Sequence, residues 1–208
     1  DKFPKNLRAI NALNNINQQP VSNKQSSINE QNYIVQLYNN GQITEGITEC
    51  ERLIKIYPYD FYIFNFLGIF FHALKKYNQA EKFYKISTEI NGITSEIWSN
   101  FSVTQHSLGK YDEAIKSSKK ALALQANNTK ALNNLGNAYF AKKEFNKALE
   151  VLKQSLLIQP NDFCALNNLG NTYQKLSVYD KALENLLKAE AINNKDPDLL
   201  YNIGCAYR

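Results

Sequence analysis

The chain has 208 residues, 44% of them hydrophobic and 21% charged, with a formal net charge of +5. That apolar fraction is ample for a core and excludes wholesale disorder, and the length allows one or two compact domains or a single elongated array. The longest apolar run, Phe61 to Leu74, is 14 residues long and is interrupted by Asn65 and His72. It is too short and too polar to be a membrane span and reads as a core helix.

No basic, then apolar, then small-residue leader opens the sequence. Cys50, Cys164 and Cys205 are an odd count without close spacing, so neither a disulfide framework nor a C-x-x-C metal knuckle is expected, and a reducing, cytoplasmic compartment fits best. The chain lacks methionine and stops at Arg208 inside a repeat, from which we expect a piece of a longer protein. Asparagine accounts for 28 of the 208 residues.

In chain order, residues 1–26 read as an N-terminal extension. Pro4 to Ile16 carries weak helical spacing through Leu7, Ile10 and Leu13, and the Asn, Gln and Ser stretch after it reads as a linker. From residue 27 onward a period of 34 residues organises the sequence. Gly46, Ala80, Ala114, Ala148 and Ala182 are each 34 apart, as are Gly68, Ser102, Gly136, Gly170 and Gly204. The period divides the chain into units 27–60, 61–94, 95–128, 129–162 and 163–196, with the start of a sixth at 197–208.

Around the second series the pattern x-L-G-x-x-Y recurs, as Leu135-Gly136 with Tyr139, Leu169-Gly170 with Tyr173, Leu67-Gly68 with Phe71, and Ile203-Gly204 with Tyr207. This resembles the tetratricopeptide repeat. In that family's register, position 4 is Phe64, Trp98, Leu132, Leu166 and Leu200. Position 17, in the turn between helices, is Tyr77, Tyr111, Phe145 and Tyr179, and units end near Pro58 and Pro160. The first unit departs most, with Glu30 at position 4 and Gly46 at position 20, and reads as a degenerate or capping repeat. The resemblance covers residues 27–208 and implies an all-α fold, a right-handed α-solenoid of stacked antiparallel helix hairpins (a superhelix). Small residues at positions 8, 20 and 27 let the two helix axes approach closely, while Leu, Phe and Tyr fill the space beside them.

The family's binding groove is lined by the first helix of each pair. Position 6 is Asn32, Phe66, Asn100, Asn134, Asn168 and Asn202, a ladder of asparagines that Phe66 interrupts. Asn65, Asn133 and Asn167 at position 5 and Asn137 and Asn171 at position 9 thicken the strip, and His72 and His106 both stand at position 12. An amide offers a donor and an acceptor, so such a row can hydrogen-bond an extended peptide without reading its side chains. The arrangement is similar to the asparagine ladder in the repeat arm of O-linked N-acetylglucosamine transferases. The family's alternative groove, a carboxylate clamp for acidic chaperone tails, needs lysines that positions 5 and 6 lack.

Lys82, Lys116, Lys85, Lys119 and Lys153 fall on second helices, interleaved with Glu81 and Glu113, and read as a solvated outer face. Charge spread in this way excludes a nucleic-acid stripe. The two histidines sit one repeat apart, too far to share a zinc ion. No nucleotide-binding, hydrolase or metalloprotease motif occurs, so no catalytic residue, metal or cofactor is expected. The glycosylation sequons at Asn100 and Asn127 read as coincidences of composition. The expected function is that of a non-catalytic scaffold binding a partner protein or extended peptide in the groove. Two alternatives stand beside it: an acceptor-recognising arm of a larger glycosyltransferase or sulfotransferase, and a self-assembling homo-oligomer.

Overall fold

The computed structural model describes residues 24–207, and the N-terminal extension's expected helical stretch lies outside them. The described residues form helices and turns only. In order they are α1 (Ile28–Asn39), α2 (Ile43–Ile54), α3 (Phe61–Ala73), α4 (Tyr77–Ile90), α5 (Ser95–Ser107), α6 (Tyr111–Leu124), α7 (Thr129–Ala141), α8 (Phe145–Ile158), α9 (Phe163–Lys175), α10 (Tyr179–Ile192) and α11 (Pro197–Ala206). The fold is an all-α solenoid of antiparallel helix hairpins. The described residues divide at Gly92 and Ile93 into two compact units.

The same local chemistry starts most of the first helices. The side chains of Asp60, Asn128, Asp162 and Asp196 accept from the backbone N–H of Tyr62, Ala131, Ala165 and Leu199, satisfying a donor that the open helix end leaves unpaired. These caps recur at the 34-residue period, with Thr94 in the series making no such bond. Helix α1 starts instead with a capping box in which Ser27 accepts from the Glu30 N–H while the Glu30 carboxylate accepts from the Ser27 N–H.

Each hairpin turns through one residue with positive φ: Gly41 (71°), Lys75 (57°), Gly109 (74°), Lys143 (62°) and Ser177 (58°). A side chain is disfavoured in that left-handed region, so three of the five turns are made by residues the region does not favour.

Within the first unit α1 pairs with α2 and α3 with α4, and α2 packs on α3. The residues of α3 facing the preceding hairpin, Ile63, Leu67 and Phe70, are buried. Their equivalents on α1, Asn29, Tyr33 and Gln36, are polar or half-polar and exposed.

Within the second unit α5–α6, α7–α8 and α9–α10 are hairpins, each second helix packs on the next first helix, and α5, α7, α9 and α11 lie side by side. A Cβ placed on Gly136 would lie 2.7 Å from Leu152 Cγ, and one on Gly170 would lie 2.6 Å from Leu186 Cγ. Glycine at these positions is therefore a requirement of close helix approach. Leu135, Tyr139, Leu152, Leu169 and Tyr173 form one buried cluster, and Leu166, Leu186, Ala189 and Leu199 form the next. No helix among the described residues is long and apolar enough to cross a membrane.

Candidate functional site

The first-helix face of the second unit carries Asn100, Asn134, Asn168 and Asn202, all half-buried, one from each of α5, α7, α9 and α11. Helical geometry brings positions 5, 6 and 9 of each helix to one side, and Asn137 and Asn171 are half-buried beside them. The side chain of Asn134 is held in one orientation. Its Nδ2 lies 3.0 Å from the Ser99 carbonyl oxygen, 3.1 Å from Ser99 Oγ and 3.1 Å from Ser102 Oγ. A backbone carbonyl can only accept, so the nitrogen must be the atom that faces it, and Oδ1 points elsewhere as an acceptor.

Asn202 Nδ2 likewise donates to Asn167 Oδ1 at 3.2 Å, and Gln174 Nε2 donates to the Asn202 carbonyl at 2.6 Å. These amides stitch neighbouring first helices together. Nothing in the sequence signals that duty, because an asparagine bonded to its neighbour and one facing a ligand have the same periodicity. Asn168 is different. Its backbone carbonyl accepts from Thr172 Oγ1 at 2.7 Å, and no neighbouring repeat engages its side chain.

Not every asparagine read from the sequence as groove-lining reaches the surface. Asn133 is only 7% exposed and donates to Asp162 Oδ2 at 3.1 Å, and its own Oδ1 is buried without a partner. It supports the Asp162 cap from below. Asn171 Oδ1 is also buried and unpartnered. In the first unit Asn65 is 6% exposed, Phe66 is half-buried, and Asn32 is exposed on α1.

His72 and His106 belong to different units. Each ring packs on the aromatic ring five residues later, His72 on Tyr77 at 5.0 Å and His106 on Tyr111 at 5.3 Å, as Phe140 does on Phe145 at 5.5 Å. Burial lowers both histidine pKa values, and for His106 a hydrogen bond to the Asn137 backbone partly opposes the shift. Among the described residues no group of three His, Cys, Asp or Glu side chains is placed to hold a metal ion. Burial raises the thiol pKa of Cys50 and of Cys164, which disfavours the thiolate that nucleophilic chemistry needs.

Several second-helix lysines lie over tyrosine rings of the first helices. Lys119 and Lys147 flank Tyr139 at 5.9 and 5.5 Å, and Lys153 and Lys181 flank Tyr173 at 5.7 and 5.9 Å. Their stems cover apolar rings. The amide-lined face therefore remains the candidate surface for recognition, and its accessible chemistry is that of neutral hydrogen-bond acceptors and donors.

Family models described as tetratricopeptide repeat match residues 62–91, 106–169 and 165–196. Together these matches span more than half of the sequence, and the chain belongs to the tetratricopeptide repeat family. Among solved structures it is similar to the tetratricopeptide repeat protein TTC0263 of Thermus thermophilus, with 23% identity, coverage of 86% of this chain and 97% of that one, and a TM-score of 0.72. It is also similar to YrrB, described as a tetratricopeptide repeat protein with an unusual peptide-binding site, at 16% identity, 93% and 96% coverage and a TM-score of 0.64. A chain of the APC/C hetero-tetramer Cut9–Hcn1 is similar at 18% identity, 98% and 40% coverage and a TM-score of 0.79. At these identities the likeness establishes the fold alone. No curated protein matches the sequence.

Proposed function

We propose that the second unit is a non-catalytic docking module whose first-helix face binds a partner polypeptide in extended form. The observation that supports this reading most directly is the fixed orientation of Asn134. With its nitrogen held by the Ser99 carbonyl at 3.0 Å, the amide presents Oδ1, an acceptor suited to a backbone N–H of a bound strand. Asn168, one repeat on, keeps both amide atoms for a ligand. Amides at successive first helices bond the backbone of the guest and leave its sequence largely unread, so shape and a few side-chain contacts from Val103, Phe140 and Gln174 set selectivity.

A neutral face does not favour strongly anionic guests. The fold of YrrB, a protein described as having an unusual peptide-binding site, supports the reading and does not transfer its ligand. The test is selection of displayed random peptides against the whole chain, followed by affinity measurement with Asn168→Ala and with the outer-face variant Lys116→Ala. The reading predicts that selected peptides lose about tenfold or more in affinity with Asn168→Ala, corresponding to one lost hydrogen-bonding amide, and bind Lys116→Ala as they bind the wild type. Peptides indifferent to Asn168 would contradict it.

A further inference from the structure

The α5–α6 hairpin departs from its neighbours at the two positions that fill the space between paired helices. In α7–α8 these positions are Tyr139 and Leu152, and in α9–α10 they are Tyr173 and Leu186, all four buried within apolar clusters. Thirty-four residues earlier, in register with Tyr139 and Leu152, stand Gln105 and Ser118. Gln105 is 6% exposed and Ser118 fully buried, yet neither Gln105 Oε1 nor Ser118 Oγ has a hydrogen-bond partner.

Each of these atoms has given up water without gaining a partner, which is unfavourable in itself. Each also stands where the adjoining hairpin gains stability from burying a large apolar side chain. Polar bonds tie α5 to its surroundings on both sides of Gln105, with His106 bonding the Asn137 backbone nearer the C-terminus and others nearer the N-terminus. Ser95 Oγ donates to the Ala121 carbonyl at 2.9 Å, Asn128 Nδ2 donates to Ser95 Oγ at 2.7 Å, and Asn134 holds Ser99 and Ser102. The hairpin therefore carries two buried, unpaired polar atoms at the positions where the next hairpin has apolar contact.

We infer that α5–α6 opens locally ahead of its neighbour α7–α8. A repeat array permits this, because each hairpin is held mainly by its own and its adjacent contacts and can open as a partial unit. Opening carries Asn100 and His106 away from the first-helix face, so the length of that face varies with the state of one hairpin. The local opening stands or falls independently of whether the face binds peptide.

The test is hydrogen exchange, read by mass spectrometry on the whole chain and expressed as protection relative to intrinsic exchange. The expected result is that the most protected amides of α5 and α6 exchange about tenfold or more faster than those of α7 and α8. Equal or greater protection of α5–α6 overturns the inference. The variant Gln105→Tyr installs the ring used next door while leaving the small Ser118 opposite Ser102, and is expected to raise α5–α6 protection about tenfold while leaving α7–α8 unchanged. Should that variant fail to fold, Ser118→Ala removes the unpaired hydroxyl without adding volume. Unchanged or greater α5–α6 protection in Ser118→Ala agrees with the inference, and a loss of protection shows that the hydroxyl is bonded and overturns it.

Discussion

The hydroxyl of Ser95 donates to the carbonyl of Ala121 at 2.9 Å, joining the first residue of α5 to the last turn of α6. The same two repeat positions are joined in the opposite direction elsewhere. Ser87 Oγ donates to the Phe61 carbonyl at 2.8 Å, and Ser155 Oγ to the Thr129 carbonyl at 3.5 Å. In α5–α6, where the second helix has Ala121 in place of serine, the first helix supplies the hydroxyl from Ser95. In α9–α10, where these positions are Phe163 and Ala189, no side chain is able to donate.

This reversal makes a specific prediction. Ser95→Ala removes the bond to Ala121 and takes from the half-buried Asn128 amide its acceptor, a loss of about 1 kcal/mol in unfolding free energy. Adding Ala121→Ser rebuilds the tie in the direction used by Ser87 and recovers part of it. Denaturant titration of the single and double variants checks this. A double variant no more stable than Ser95→Ala alone would show that the hydroxyl is incidental.

Glycine at position 8 is required where the second helix presses on it. Gly170→Ala drives a Cβ to 2.6 Å from Leu186 Cγ and is expected to destabilise by about 1–3 kcal/mol through overpacking. Thermal unfolding reads out the loss, and an unchanged melting temperature would contradict the close helix approach.

The turn at Lys143 has φ of 62°, and its backbone N–H donates to the Phe140 carbonyl at 2.8 Å. Lys143→Gly keeps that bond and relieves the left-handed strain, giving a gain of about 1 kcal/mol after glycine's extra unfolded-state entropy is set against it. A drop in melting temperature would mean that the lysine side chain contributes more than the backbone strain takes away.

His106 carries a pH dependence whose sign is fixed by burial. Its folded pKa lies below the ordinary value, so the unfolded chain binds the proton more readily. The neutral ring's contribution is fully present above about 6.5 and is lost as pH falls from there toward the lowered folded value. His106→Phe, the residue used at this position by Phe140, removes that contribution's slope. The stability difference between variant and wild type should therefore widen in the variant's favour between about pH 7 and pH 5.5, where His106 titrates in the unfolded chain. A difference that is flat across the range contradicts the buried, neutral assignment.

Much of the fold was legible in the sequence because its cause is steric. Gly136 and Gly170 must be small where Leu152 and Leu186 press against them, and such contacts recur along the array, so the 34-residue period shows through a surface that varies from repeat to repeat. The caps at Asp60, Asn128, Asp162 and Asp196 follow the same period and were available to the same reading. The hairpin turns were less visible, since Lys75, Lys143 and Ser177 adopt a conformation that would ordinarily announce itself as glycine. The candidate site was legible as a row of asparagines and illegible in its division of labour. Asn134 and Asn202 bond neighbouring helices, Asn133 and Asn65 are buried, and Asn168 keeps its amide open; all are the same residue type at repeat spacing. Which duty each performs depends on the carbonyl or hydroxyl brought beside it, such as Ser99, which only folding supplies.

That division of labour also separates two variants. Asn134→Ala removes donors to Ser99 and Ser102 and should lower stability by about 1 kcal/mol, whereas Asn168→Ala should leave it within about 0.5 kcal/mol. Denaturant titration distinguishes them, and equal losses would mean that Asn168 is also engaged with a neighbour.

The most direct measurement of the account is a titration of the chain, with nitrogen-15 label in its asparagine side chains, by a peptide obtained from display selection. The side-chain amide resonances of Asn137 and Asn168 should shift with a common binding curve, while that of Asn146, exposed on α8, should stay in place. Shifts confined to the outer helices, with the first-helix amides unmoved, would contradict the assignment of this face as the docking surface.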